Sequence, residues 1–590
     1  MKFLKTFLAS LLGTIIGIMV LMFVLFLIVS SSSSEPEPYV RSNTVLEIEL
    51  TGSIPARTVS NPFEDLFQTG KVNPSLQNLK INLEKAASDE RIAGVWVKTN
   101  IVGASWANLE SVHRYLEKYK ESGKFLYFST DDIGMNEKAY FLATTADSIF
   151  SPEETMFEFD GFFTQLSFYK GTMEKLGIEP EIIRVGKYKS AVEPFLQKES
   201  SPESREQLSA ILNSASSRFL SAVEQKTGLN RNEINEILND VPDRSIEDAF
   251  ENGLIDVLAY PDEVEKHIKS RIGLGEDEDL KKISYNRYNR VESSSAGVEK
   301  PDTDNRIAVI YSSGAIMPDI EQSPFEEQAV ITASGIREQL NDIKEDDNVK
   351  GIVIHINSPG GSASTSDLIW HYLKETELPV VAVMGSVAAS GGYYMAAGAD
   401  TIVADANTIT GSIGVFSLLV NTQDFYNEKL GITFDQIKTH DHADIFTLTR
   451  PLTEAEKRGL QNGVDKTYET FLNRVAESRG MTRDEVHEVA QGRVWTGADA
   501  KEQNLVDIIG NLETGLQTAA EMAGIETYNV VTFPKKKDIY STLFGSANSQ
   551  VRTWIKSFVP VYEPLNDFTY LLKQPVGQNW AYLPVQFTIE

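Results

Sequence analysis

Val383-Met-Gly-Ser-Val-Ala-Ala-Ser390-Gly-Gly-Tyr-Tyr394 is the stretch on which the fold turns. An apolar run from Pro379 to Met384 ends in a chain of very small residues, and a helical pattern follows. Ser390 stands at the corner, and the two glycines after it leave their backbone N–H groups unobstructed. A serine at a strand-to-helix corner is presented bare, with free amides and a helix N-terminus facing an incoming oxyanion. The same three residues also suit a plain, well-packed helix start, so the rest of the chain has to decide.

At 590 residues, with 41% hydrophobic and 24% charged residues, the chain is globular and too long for one ordinary core. Its net charge of −29 argues against a nucleic-acid partner, which would require a basic face. There is no cysteine, which excludes a thiol nucleophile, a disulfide frame and any cysteine-based metal site.

Working outward, the chain repeats itself. Tyr140-Phe-Leu-Ala-Thr-Thr-Ala-Asp147 echoes Tyr393-Tyr-Met-Ala-Ala-Gly-Ala-Asp400, and Ile92-Ala-Gly-Val-Trp-Val97 echoes Val349-Lys-Gly-Ile-Val-Ile354. Thr44 to Ile54 pairs likewise with Ile307 to Ile316, Glu174 to Ile178 with Glu428 to Ile432, and Asn252 to Asp256 with Asn504 to Asp507. The offset drifts only from about 262 to about 251, so the matches are collinear. Short β-branched runs alternate with helical stretches in both copies, which predicts α/β architecture twice over. The expected organisation is a first repeat over 44–285, a linker over 286–305, a second repeat over 306–525 and a C-terminal extension over 526–590. The extension carries Lys535-Lys-Lys537 and several aromatics, and is read as an arm packed on its own subunit.

Ahead of the repeats, residues 7–29 are almost wholly apolar, ~34 Å as a helix and enough to span a bilayer. The expectation is a retained transmembrane anchor after a short cytoplasmic segment (1–6), with a solvated tether over 30–43. Lys2 and Lys5 set the N-terminus inside, which puts both repeats outside the inner membrane.

Comparing the copies position by position shows where chemistry can reside. Opposite Ser390, Gly391 and Gly392 the first copy has Glu137, Lys138 and Ala139. Opposite Asn357-Ser-Pro-Gly-Gly361 it has Asn100-Ile-Val-Gly-Ala104. Conversely, Lys189 of the first copy falls opposite Ala443 of the second. The complementarity suggests one site built from both halves, with Ser390 as nucleophile and Lys189 as general base, although the usual fate of a lysine in a loop is the surface. A lysine acts as a base only where burial lowers its pKa toward 7–8, and a nearby hydroxyl must hold the amine without charging it. Ser412, in Thr410-Gly-Ser-Ile-Gly414, is the candidate.

These motifs, with Tyr188-Lys-Ser-Ala-Val-Glu-Pro-Phe195, resemble the long, duplicated form of the signal peptide peptidase A (SppA, protease IV) family. The resemblance implies a Clp protease/crotonase-type fold in each half and a Ser-Lys dyad of Ser390 and Lys189, assisted by Ser412. It implies an oxyanion hole from the backbone amides of Gly361 and Gly391, no metal and no cofactor. It also implies a homotetramer at the periplasmic face of the bacterial inner membrane, acting on remnant signal peptides.

Three other readings compete with this one. His440-Asp-His442 could belong to a Ser-His-Asp triad or a metal pair, although such a cluster is commonest as solvated surface. Ala388-Ala-Ser-Gly-Gly392 lacks the first glycine of the G-x-S-x-G elbow. A crotonase-like acyl-thioester enzyme would need neither Ser390 nor Lys189, and a silent peptide-binding scaffold would not require their joint presence.

Overall fold

Strand Val380–Ala389 lies at the centre of a mostly parallel sheet, and its run Val380-Val-Ala-Val-Met384 is buried throughout. Continuous apolar strands of this kind are what a parallel sheet covered on both faces requires. The computed structural model describes residues 6–7, 10–14, 16–17, 20, 37–58, 74–240, 245–319, 330–535 and 580–582. The expected anchor over 7–29 falls mostly outside these residues, as does most of the C-terminal extension. Among the described residues no helix is long and apolar enough to cross a membrane.

The two copies build sheets with the same spatial order. In the first, strands Val257–Leu258, Ser148–Ser151, Phe125–Ser129, Ile92–Val102, Thr44–Gly52 and Lys282–Ser284 lie side by side, all parallel. In the second, the series is Ile508–Ile509, Thr401–Ala404, Val380–Ala389, Val349–Ser358, Arg306–Ser313 and Asn529–Phe533, again all parallel. The second sheet also carries Ile409–Gly411 beside Val380–Ala389, with Val494–Thr496 antiparallel on its outer side.

Each copy also has one 26-residue helix, Pro202–Thr227 and Glu454–Arg479. Both start where a hydroxyl caps the first turn: Ser201 Oγ accepts from Ser204 N, and Thr453 and Glu456 form a reciprocal capping box. Both end at a glycine in the left-handed conformation, Gly228 (φ 76°) and Gly480 (φ 62°).

A third, mixed sheet joins the copies. Strand Glu179–Val185 of the first pairs antiparallel with Val415–Asn421 of the second along its whole length, from Val415 opposite Val185 to Asn421 opposite Glu179. The cores interpenetrate as well. Ile183 packs in the second copy's core, and Ala389 and Val494 pack in the first copy's. A polar seam runs beside them, in which Arg114 and Ser111 of helix Trp106–Lys120 both donate to Asp405. Asn407 Nδ2 donates to Glu110 Oε1 over 2.8 Å in the same seam. Neither half can shift without breaking a strand ladder, an apolar core and buried hydrogen bonds together.

Candidate active site

The cross-copy ladder decides the site. Val185 opposite Val415 sets the four residues after one strand beside the three before the other, and these segments contain Lys189 and Ser412. Ser412 N donates to Arg493 O, and Ser390 N donates to Gly411 O, so strand Ile409–Gly411 leads into Ser412 and holds the backbone of Ser390 at the end of its parallel neighbour. Lys189 Nζ lies 2.8 Å from Ser390 Oγ, and 3.0 Å from both Ser412 Oγ and Ser412 O. All three residues are buried, Lys189 to 1% exposure and both serines to 0%.

No carboxylate pairs with Nζ among the described residues, and burial alone pushes the amine down from its ordinary value to about 7. Three oxygens surround the amine, those of the Ser390 and Ser412 hydroxyls and of the Ser412 carbonyl, and of these the carbonyl can only accept.

Ser390 itself is held at φ 57°, ψ −114°, a conformation that side-chain-bearing residues rarely adopt. The corner is therefore a strained strand-to-helix elbow, although the first glycine of the G-x-S-x-G pattern is Ala388 here. Small residues make it possible. A methyl group on Gly392 would stand 2.7 Å from Ser358 O, so the Asn357-to-Gly361 loop lies directly against the start of helix Gly391–Ala396. Gly391 is the first residue of that helix, where backbone N–H groups have no partner within the helix. Gly361 lies in the short strand Gly360–Ser362, with φ 156° and no room for a Cβ, which would stand 2.0 Å from Ile316 O. The chain's own Trp580–Tyr582 pairs antiparallel with that strand, Gly361 opposite Ala581.

The rival groups are elsewhere. His442 Nδ1 is 3.0 Å from Glu456 Oε1, inside an ion-pair knot in which Arg450 binds both Asp444 and Glu456. No cluster suited to a metal ion exists among the described residues. Lys187 is exposed, its ammonium over the Tyr188 ring.

Sequence reasoning passed over the loop that backs the lysine. Tyr188 N donates to Gln491 O, and a methyl at Gly492 (φ 79°) would come within 2.6 Å of Lys189 Cβ. Gln491-Gly492 could be read from the sequence as a turn, but nothing in it says that Lys189 packs there.

The family model for peptidase family S49 matches residues 118–274 and 372–526, one match in each copy. The chain belongs to peptidase family S49. A Clp protease family model also matches residues 325–409. Among relatives, the chain is 35% identical over 501 residues to the chloroplastic serine protease SPPA of Arabidopsis thaliana, covering 84% of this chain and 72% of that one. It is 30% identical over 502 residues to protease 4 of Salmonella typhi, covering 83% and 79%. It is 28% identical over 520 residues to protease 4 of Haemophilus influenzae, covering 84% and 83%. As a duplicated S49 peptidase of the protease 4/SppA kind, the protein is a serine protease.

Proposed function

We propose that the protein cleaves peptides through a Ser390–Lys189 dyad. Ser390 Oγ attacks the scissile carbonyl carbon while its proton passes to Lys189 Nζ. The backbone amides of Gly361 and Gly391 receive the oxyanion. The protonated lysine gives its proton to the leaving amine, so the peptide bond breaks and an acyl-serine ester remains. Water, deprotonated by the same amine, then releases the acid and restores Ser390. Ser412 keeps the amine aimed through its two oxygens.

The observation that carries this is the 2.8 Å approach of a buried amine with no ion-pair partner to a strained serine. Peptides as substrates are supported by strand Gly360–Ser362, one side of which pairs antiparallel with the chain's own Trp580–Tyr582, the pairing an extended peptide would make in its place. Anchorage through residues 7–29, a catalytic part outside the inner membrane, homotetrameric assembly and action on released signal peptides and other hydrophobic peptides belong to the same proposal. The anchor and its orientation rest on the sequence, and the tetramer and the substrates rest on the resemblance to the SppA family.

The test is labelling by a serine-directed phosphonate, with mass spectrometry of fragments from a mixed peptide pool, wild type against Ser390→Ala. The expected outcome is labelling at Ser390 and a set of hydrophobic fragments that vanish in the variant, with a rate loss of roughly 10⁴-fold or more. A folded variant that still cuts the pool would remove Ser390 from the chemistry. A wild-type protein that neither labels nor cuts would indicate the peptide-binding scaffold instead.

A further inference from the structure

Lys189 sits in a loop, and a loop holds a base in register only if something fixes it. Gln207, on helix Pro202–Thr227 of the first copy, is 1% exposed and uses both ends of its amide. Its Nε2 donates to Ser190 Oγ over 2.7 Å and to Tyr188 O over 3.3 Å, so it grips the residue on each side of Lys189. Its Oε1 accepts from Val494 N over 3.1 Å. Val494 is the register partner of Gly411, whose carbonyl accepts from Ser390 N and which immediately precedes Ser412. One side chain thus connects the backbone around the amine to the strand pair that leads into Ser412 and whose Gly411 carbonyl accepts from Ser390 N. The orientation of the amide is unambiguous, because Tyr188 O can only accept and Val494 N–H can only donate.

The second copy has no such residue. Gln207 is the sixth residue of its helix, and the sixth residue of the matching helix Glu454–Arg479 is Gly459. The glutamine occurs in the copy that has the lysine.

We infer that Gln207 is a positioning residue for the peptidase reaction, holding the Lys189 loop against the strands that present Ser390 and Ser412. The inference rests on the dyad proposed above. Charged groups brace the loop from other directions, and Arg493 Nη1 donates to Tyr188 Oη over 3.3 Å. Arg184 Nη1 donates to Lys189 O over 3.2 Å with Glu193 behind it, and Glu206 pairs with Arg493 and Tyr188 on the outer side. None of them joins the loop to the strand pair through Val494.

The experiment uses the full chain with Gln207→Leu, Gln207→Glu and Lys189→Arg, each normalised by phosphonate titration of competent sites. Gln207→Leu is expected to lower kcat per titrated site by about 10- to 100-fold with KM within about twofold, as for a misplaced catalytic group. Its rate–pH profile is expected to move by about half a pH unit or more, because a slack loop lets water reach the amine. Gln207→Glu keeps the shape and the bond to Val494 but adds a negative charge. Its profile should move to more alkaline pH, with activity recovering there. If both variants lose only titratable sites while kcat per site and the pH profile stay put, Gln207 is merely structural and the inference fails alone. If Lys189→Arg keeps its activity, the dyad fails, and this inference fails with it.

Discussion

The two copies carry the same skeleton and differ at its crest. Tyr140 Oη donates to Leu254 O over 2.9 Å, and Tyr393 Oη donates to Leu505 O over 2.8 Å. Asp147 accepts from Leu126 N as Asp400 does from Val380 N, and Asp256 accepts from Ile149 N as Asp507 does from Ile402 N. Against that frame, the first copy has Glu137 where the second has Ser390. Burial pushes the Glu137 carboxyl up, while the amides of Asp160 and Gly161 donate to its Oε1 and act in the opposite direction. A carboxylate consumes amides at the same crest where the second copy has a bare hydroxyl on strained backbone. Duplication kept the hydrogen bonds that hold the sheet, and let the residues at the candidate site diverge.

The difference can be broken from either side. After the roughly 10⁴-fold loss expected of Ser390→Ala, the largest effect is expected from Lys189→Arg, which stays charged and should leave less than about a hundredth of the rate. In the wild type, activity should rise with pH through about 7 as the amine loses its proton. A flat profile across that range would remove lysine as the base.

Next in size is a stability effect. Between about pH 7 and the ordinary lysine value the unfolded chain binds a proton that the folded chain does not, so folding stability should climb across that window. Lys189→Met should abolish that climb and raise stability at neutral pH by about 2 kcal/mol. Chemical denaturation at several pH values measures both, and an unchanged slope would contradict the burial of a neutral amine. Ser412→Ala should cost about tenfold in kcat, the worth of one hydrogen bond to the amine, read from steady-state kinetics on titrated enzyme. The smallest expected effect is none. Glu137→Ser restores a hydroxyl to the first copy, but the lysine points into the other half, so phosphonate should not label residue 137.

Much of this was legible in sequence because repeats can be laid side by side. The collinear echoes, the Ser390 corner and the segregation of Lys189 from Ser390 needed only residue identities. The elbow strain at Ser390 was not legible, because Ala388 breaks the familiar pattern and small size turns out to serve in place of glycine. The roles of Gln207 and Gly492 were hidden for another reason. Both act on Lys189 through contacts between segments remote in the chain, and neither residue type announces such a task.

The sequence by itself determined that the chain is a duplicated α/β protein with a corner serine in one copy and, in the other, a lysine that has no counterpart opposite it. It could do so because strand patterns, helix caps and residue losses are local properties. Only the tertiary structure decided that the two meet, through the ladder between Glu179–Val185 and Val415–Asn421. It also decided that burial lowers the amine's pKa to about 7, because solvent exclusion depends on everything packed around a group and no local pattern encodes it.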